Sequence, residues 1–456
     1  MLGDDLQTLY FLALSCRLFS TVALPTLYSH LEKFPSDYDD EDRLAEDMQS
    51  YTTRLTKWSS LWKSLAKSAQ NPHSTTMNYV SALRVLNLRD LLSLMDEFRL
   101  ARGQRVRNAF FANGLETYNK VRNFSYGKSN QTMFDVNLAA DCLTDLIAPR
   151  TTAVTTLIRQ TTLPDHLHLW VENMTSLKRL QVFSGEVLGD ERVYVALQAC
   201  PNLKSLEIYH WPTTTQNPDE QLARLFASMA GNLERLVIKN SNSCFRELAL
   251  SALSHHHGAS LKTLEVLTFS PEVLGSLGLA SKITNLNSCT IQLSDSLWNG
   301  SSEVLDAFMN FISQNTKLEF IDVGLFPVGR ILPSAIRELH LKHLSLTMLS
   351  VDTLLNPFWG AIAAQGRSLE SLTLHCEDWT DIFYDQEQLF NAIRQLYKLK
   401  SLSLTGPFSV MRDENIEDIV SGCPELEELS CTSGGLTDRS LVSLSKLPKF
   451  TTLISR

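Results

Sequence analysis

The stretch Cys200-Pro201-Asn202-Leu203-Lys204-Ser205-Leu206-Glu207-Ile208 sets the reading of the whole chain. Its apolar residues stand as Leu203-x-x-Leu206-x-Ile208. The same unit recurs at Leu177-x-x-Leu180-x-Val182, Leu233-x-x-Leu236-x-Ile238, Leu261-x-x-Leu264-x-Val266, Leu318-x-x-Ile321-x-Val323 and Leu341-x-x-Leu344-x-Leu346. It continues at Leu369-x-x-Leu372-x-Leu374, Leu399-x-x-Leu402-x-Leu404 and Leu426-x-x-Leu429-x-Cys431, with Ile283-x-x-Leu286 as a degraded copy. From Leu177 to Leu426 the mean period is roughly 28 residues, within the range of stacked repeat architectures. In such a chain neither layer of a repeat buries its apolar face alone, so neighbours stabilise each other.

Between the apolar units lie helix signals. In Asn217-Pro218-Asp219-Glu220, Asn217 suits an N-cap and Pro218 the first helical position. Leu222, Leu225, Phe226 and Met229 then share one face, and Gly231 closes the end. Comparable helices are expected over 303–313 and 386–396. A strand, a loop and a helix per repeat resembles the leucine-rich-repeat family. The resemblance implies an α/β leucine-rich-repeat solenoid, a ribonuclease-inhibitor-like horseshoe with a parallel concave sheet and helices on the convex side. Regular repeats are assigned to 176–456, and irregular N-terminal repeats with a cap to 51–175. Within 51–175, Leu61-Trp62-x-x-Leu65 reads as helix and Ala82-Leu83-x-x-Leu86-x-Leu88 as the first repeat strand. Leu115-x-x-Tyr118 and Val154-x-x-Leu157 are further strand candidates. Asp135 caps a helix holding Leu138, Cys142, Leu143, Leu146 and Ile147, which ends before Pro149. Near the other end, Phe450-x-x-Leu453 begins one more strand.

Residues 1–31 fit two short amphipathic helices. Ser15-Cys16-Arg17-Leu18-Phe19 and Leu24-Pro25-Thr26-Leu27-Tyr28 resemble the second half of a fungal F-box. The family's opening helix has no counterpart ahead of these residues, so the segment is read as an F-box-like remnant, truncated at its N-terminus. The resemblance implies docking of an SCF adaptor subunit through Leu14, Phe19, Leu24, Pro25, Leu27 and Tyr28. Residues 32–50 are acidic, with Asp37, Asp39, Asp40, Glu41, Asp42, Glu46 and Asp47, and read as a solvated linker.

The formal net charge of −9 opposes a nucleic-acid partner, because phosphate binding needs a basic stripe. Eight cysteines lie far apart and form no Cys-x-x-Cys pair, which fits a reducing, cytoplasmic or nuclear compartment. The apolar run Leu9–Leu24 lacks the basic start of a signal peptide and is broken by Arg17. No stretch is long and apolar enough to predict a membrane span. Phosphate-cradling and nucleophile-elbow motifs are absent, so no catalytic residue and no cofactor is assigned. His255-His256-His257 reads as a solvated helix end, not a metal site, and Glu377, Asp378, Asp381 and Asp385 as a polar loop.

A binding surface remains. Residues alternating with the inward leucines face the other side of the sheet. Early strands present Arg179, Gln181, Phe183, then Ser205, Glu207, Tyr209, while later ones are rich in Ser and Thr. Aromatic and basic groups dominate interface hot spots. Phe183, Tyr209, Lys239, Leu267 and His375 are therefore the candidate partner-binding residues on the sheet. Trp211 and Trp379 are added from the loops, where tryptophans, Trp298 among them, either anchor a partner or pack over the core ends. The family resemblance implies the substrate-recognition subunit of an SCF-type cullin–RING E3 ubiquitin ligase. The alternative is a non-ligase protein-interaction scaffold with a degenerate F-box.

Overall fold

The computed structural model describes residues 8, 23, 26, 48–75, 78–126, 129–159, 166–212, 216–239, 245–269, 274–293, 302–324, 332–349, 356–376, 386–406, 411–431 and 436–455. The chain packs as two compact units, 1–212 with 228–232, and 213–227 with 233–456.

The first unit carries β1 (Val85–Asn87), β2 (Val121–Tyr126), β3 (Ser129–Phe134), β4 (Thr156–Arg159), β5 (Arg179–Ser184) and β6 (Ser205–His210). Four of these run parallel in the order β1-β4-β5-β6. Their register places Leu86 beside Leu157, Leu157 beside Leu180, and Leu180 beside Leu206. All four side chains are fully buried. The second unit carries β7 (Arg235–Ile238), β8 (Thr263–Phe269), β9 (Ser288–Leu293), β10 (Phe320–Gly324), β11 (His343–Leu349), β12 (Ser371–Cys376), β13 (Ser401–Thr405), β14 (Glu428–Cys431) and β15 (Thr452–Ser455). They pair in parallel and in sequence order. One buried row runs Leu236, Leu264, Cys289, Ile321, Leu344, Leu372, Leu402 and Leu429, and ends on the half-buried Leu453. The fold is an α/β leucine-rich-repeat solenoid.

The register corrects one reading. Cys289 occupies the rung position of Leu264 and Ile321, so the repeat is Leu286-x-x-Cys289-x-Ile291. Ile283-x-x-Leu286 lies three residues too early. A cysteine is small and apolar enough to fill a leucine's place but hides the pattern. The expected strand at Leu115-x-x-Tyr118 is also absent: Glu116–Tyr118 is a 3₁₀ turn. Asn113 and Gly114 both take left-handed backbone angles, φ 63° and 103°, which reverse the chain just before it. The excursion continues as an antiparallel hairpin of β2 and β3, outside the parallel ladder.

Helices fill the face opposite the exposed sheet side. The Asp135 cap forms as expected, accepting from the Leu138 amide at 3.1 Å over the helix Val136–Ile147. Pro218–Ser228, Ser302–Gln314 and Gln386–Ile393 are helical too. Asn217 precedes its helix with a φ of 48°. In the first unit the helix Met48–Gln70 buries Trp58 and Trp62. Both indoles donate to Asp90 Oδ2, at 2.8 and 2.7 Å, so that oxygen of the buried carboxylate has two donors.

A second recurring device joins helix to strand. Three or four residues before the first leucine of a repeat stands a buried side chain that reaches back to the preceding repeat. His257 Nδ1 accepts from the Leu233 amide at 3.4 Å, and its Nε2 meets the Phe226 carbonyl at 2.9 Å. Gln365 does the same for the Leu341 amide and the Ile336 carbonyl, at 3.0 and 2.8 Å. Asn315 accepts from the Leu286 amide at 3.1 Å. Cys200 and Cys423 take the same place, their thiols 3.6 Å from the Val171 carbonyl and 3.3 Å from that of Ile393. Burial pushes those thiols up to about 11 and about 12. His257 is only 1% exposed, so the expectation of a wholly solvated histidine cluster is corrected; His255 and His256 alone face solvent.

The residue after the first leucine of a repeat forms pairs of opposite charge between neighbouring repeats of the second unit. Lys262 meets Glu234 at 2.7 Å, Lys342 meets Glu319 at 2.9 Å, and Lys400 meets Glu370 at 2.6 Å. Exposed pairs of this kind contribute little each and serve register more than stability.

Candidate functional site

The sheet face of the first unit is built by strict alternation. Leu157, Leu180 and Leu206 point into the core, so Ile158, Gln181 and Glu207, which share a rung, point the other way. Two residues on, Phe183 and Tyr209 stack with ring centroids 6.4 Å apart and planes 19° from parallel. Aromatic pairs of this geometry attract each other beyond their area burial. Phe183 is 42% exposed, an unusual position for a large apolar side chain on a sheet.

Polar bonds hold this face in place. The Gln181 amide donates to the Tyr209 hydroxyl at 3.0 Å. Arg179 donates to Glu207 at 3.2 Å, and Glu207 is 5% exposed. The Tyr209 phenol is raised by burial first and then by the Glu207 charge, with Arg89 and Arg179 pulling the other way. Tyr209 therefore stays a neutral hydroxyl across physiological pH. Arg89, Ile158, Arg159, Gln181, Phe183 and Tyr209 together line an open cleft of about 250 Å³. Arg159 is 3% exposed, with its guanidinium 5.2 Å from the centre of the Trp170 ring. Its charge acts on Asp141, whose carboxyl burial pushes up to about 6 while Arg159 pulls it down.

Phe183 and Tyr209 are thus brought together. Trp211, expected as a loop anchor, is instead 1% exposed and lies on Gly185. A Cβ at Gly185 would sit 2.1 Å from Trp211 Cε3, so the glycine is what admits the ring. Gly185→Ala is expected to cost about 1–3 kcal/mol, seen as a lower thermal midpoint and a red-shifted tryptophan emission. On the second unit, Lys239 is half-buried and ion-paired with Glu265, which also meets Arg235 at 3.3 Å. Leu267 is half-buried, and His375 is hydrogen-bonded to Thr405. Nearby, Phe320 and His343 pack with centroids 5.7 Å apart, and burial raises the Asp322 carboxyl against hydrogen bonds from Ser345 and Gln292. Leu14, Phe19, Leu24, Pro25, Leu27, Tyr28, Trp298 and Trp379 lie outside the described residues, as does the acidic loop 377–385.

Sequence reasoning missed Arg89, Ile158 and Arg159. Ile158 follows directly once Val154-x-x-Leu157 is extended by one rung. Arg89 has no periodic signal, because it stands at the start of the helix Leu88–Arg99 and not in a strand. Among the described residues no group of three or more His, Cys, Asp or Glu is placed to hold a metal ion. No described helix is long and apolar enough to cross a membrane.

No family model matches the sequence, and no curated protein does. Solved structures do resemble the chain. One is from the Rad7–Elc1 complex of yeast, 19% identical over 66% of this chain and 79% of that one, with a TM-score of 0.43. Another is the leucine-rich repeat-containing protein LegL7 of Legionella pneumophila, 13% identical over 63% and 96%, with a TM-score of 0.39. A Bacteroides fragilis protein is 13% identical over 74% and 90%, with a TM-score of 0.32. At these values the assignment of the fold rests on the strand register itself.

Proposed function

We propose that this chain is the substrate-recognition subunit of an SCF-type cullin–RING E3 ubiquitin ligase, acting in the cytoplasm or nucleus. The adaptor docks on Leu14, Phe19, Leu24, Pro25, Leu27 and Tyr28, and a target protein docks on the sheet face. The observation that carries the recognition half is the Phe183–Tyr209 stack beside an open cleft. The adaptor half rests on the F-box-like residues Ser15–Phe19 and Leu24–Tyr28. The chain performs no catalysis of its own. It raises the concentration of the target near the ubiquitin-charged enzyme, which needs no new chemistry in this subunit. Nucleic acid and membrane play no part in this reading.

Co-purification of the full chain with the recombinant SCF adaptor tests it. Recovery of the adaptor is expected, and Pro25→Ala with Tyr28→Ala should lower it at least about tenfold, since hot-spot truncations commonly exceed 1.4 kcal/mol. A wild-type chain that captures no adaptor overturns the ligase assignment and leaves the interaction scaffold, for which the sheet face alone suffices.

A further inference from the structure

Three arginines approach the cleft of the first unit, and two are already answered within the chain. Arg179 is held by Glu207 at 3.2 Å. Arg159 lies over Trp170, and Asp141 stands in its field. Arg89 is different: it is exposed, and it makes no ion pair or hydrogen bond with a described residue. Its positive charge nevertheless reaches the Tyr209 hydroxyl, so the guanidinium and the aromatic shelf border one space.

Resting on the reading of this face as the partner-binding surface, we propose that the cleft takes an extended acidic peptide segment of the partner. A carboxylate of that segment pairs with the Arg89 guanidinium, and an aromatic or large aliphatic side chain lies against Phe183 and Tyr209. The charge argument selects the carboxylate. One uncommitted guanidinium matches one carboxylate, as a planar fork that donates two parallel bonds. A lysine or arginine at the same place would meet the uncommitted Arg89 charge and be repelled. The apolar half follows from Phe183, a large apolar side chain that is 42% exposed beside the stacked Tyr209 ring. In an extended peptide, side chains two apart point the same way at about 7 Å, a reach that fits a carboxylate and an apolar group in one cleft.

Phage-displayed random peptides selected on the full wild-type chain test the assignment. Peptides with Asp or Glu within about three residues of an aromatic or large aliphatic residue should be enriched. A synthetic copy of the most enriched peptide should bind Arg89→Glu about tenfold more weakly, the loss expected for one charge-assisted bond. Exchange of its carboxylate for Lys should restore binding to Arg89→Glu, which also proves that variant folded. Phe183→Ala should weaken the same peptide while leaving its acidic preference intact. No enrichment, enrichment without acidic residues, or equal binding by Arg89→Glu overturns the proposal. The adaptor assay is read separately. An adaptor captured without acidic-peptide binding removes only this peptide, while peptide binding without the adaptor removes only the ligase assignment.

Discussion

Leu206→Ala is expected to cost about 2–5 kcal/mol, read as a lowered unfolding midpoint in urea. Leu206 is fully buried, in register with Leu180 on β5, and it stands at the centre of a repeat that its neighbours need. Burial of a leucine side chain contributes about 1.5–3 kcal/mol, and the residual cavity adds to the loss because flanking strands cannot close in. Repeat coupling sharpens the result: a weakened rung also lowers the interface with its neighbours, so the loss is not confined to residues 205–210. Glu207→Ala, one residue on, provides the contrast. Its side chain lies on the sheet face and its removal should disturb Arg179 and the cleft more than the core. A Leu206→Ala protein with an unchanged midpoint would refute the register.

The strands were legible because the pattern Leu-x-x-Leu-x-Leu encodes two constraints at once. Alternation fixes the inward side, and the repeat period fixes which residues meet across strands. Where a repeat keeps leucine or isoleucine at those places, as at Leu341-x-x-Leu344-x-Leu346, strand and register follow from the letters. Where the residue changes class they do not. Cys289 satisfies the packing without the letter, and the reading slipped by three residues to Ile283. The β2–β3 hairpin carries no inward leucine row, so no repeat signal marked it. It follows the chain reversal at Asn113 and Gly114, both in left-handed conformation.

The site was legible in part for the same reason. Phe183 and Tyr209 follow from alternation, since each lies three residues after an inward leucine. That they stack, and that Gln181 pins Tyr209, depends on registry between β5 and β6 and on side-chain length, which spacing alone does not give. Trp211 shows the limit most clearly. A loop tryptophan beside a proline has the same sequence appearance whether it anchors a partner or covers the core. The glycine that admits it lies 26 positions earlier in the chain.

His257→Ala should cost about 2–4 kcal/mol, because it removes a buried ring and leaves the Leu233 amide without its acceptor. His257→Gln should recover much of this, since Gln365 performs the same two-sided bond four repeats further along the second unit. The histidine also makes the wild type sensitive to acid. Its Nδ1 accepts from the Leu233 amide and its Nε2–H donates to the Phe226 carbonyl, an arrangement only the neutral ring satisfies. Burial lowers its pKa below the ordinary 6.5, with the neighbouring His256 charge acting in the same direction and the Phe226 carbonyl opposing. A folded pKa below the unfolded value means that the unfolded chain binds the proton more readily. The contribution is therefore complete above pH 6.5 and declines as the pH falls below it towards the folded value. Hydrogen exchange separates this from general acid loosening. The protection factor of the Leu233 amide should fall between pH 7.5 and about 5, while that of Leu341, capped by the non-titrating Gln365, should hold. In His257→Gln both amides should hold. Equal loss at Leu233 and Leu341 in the wild type would remove His257 as the cause.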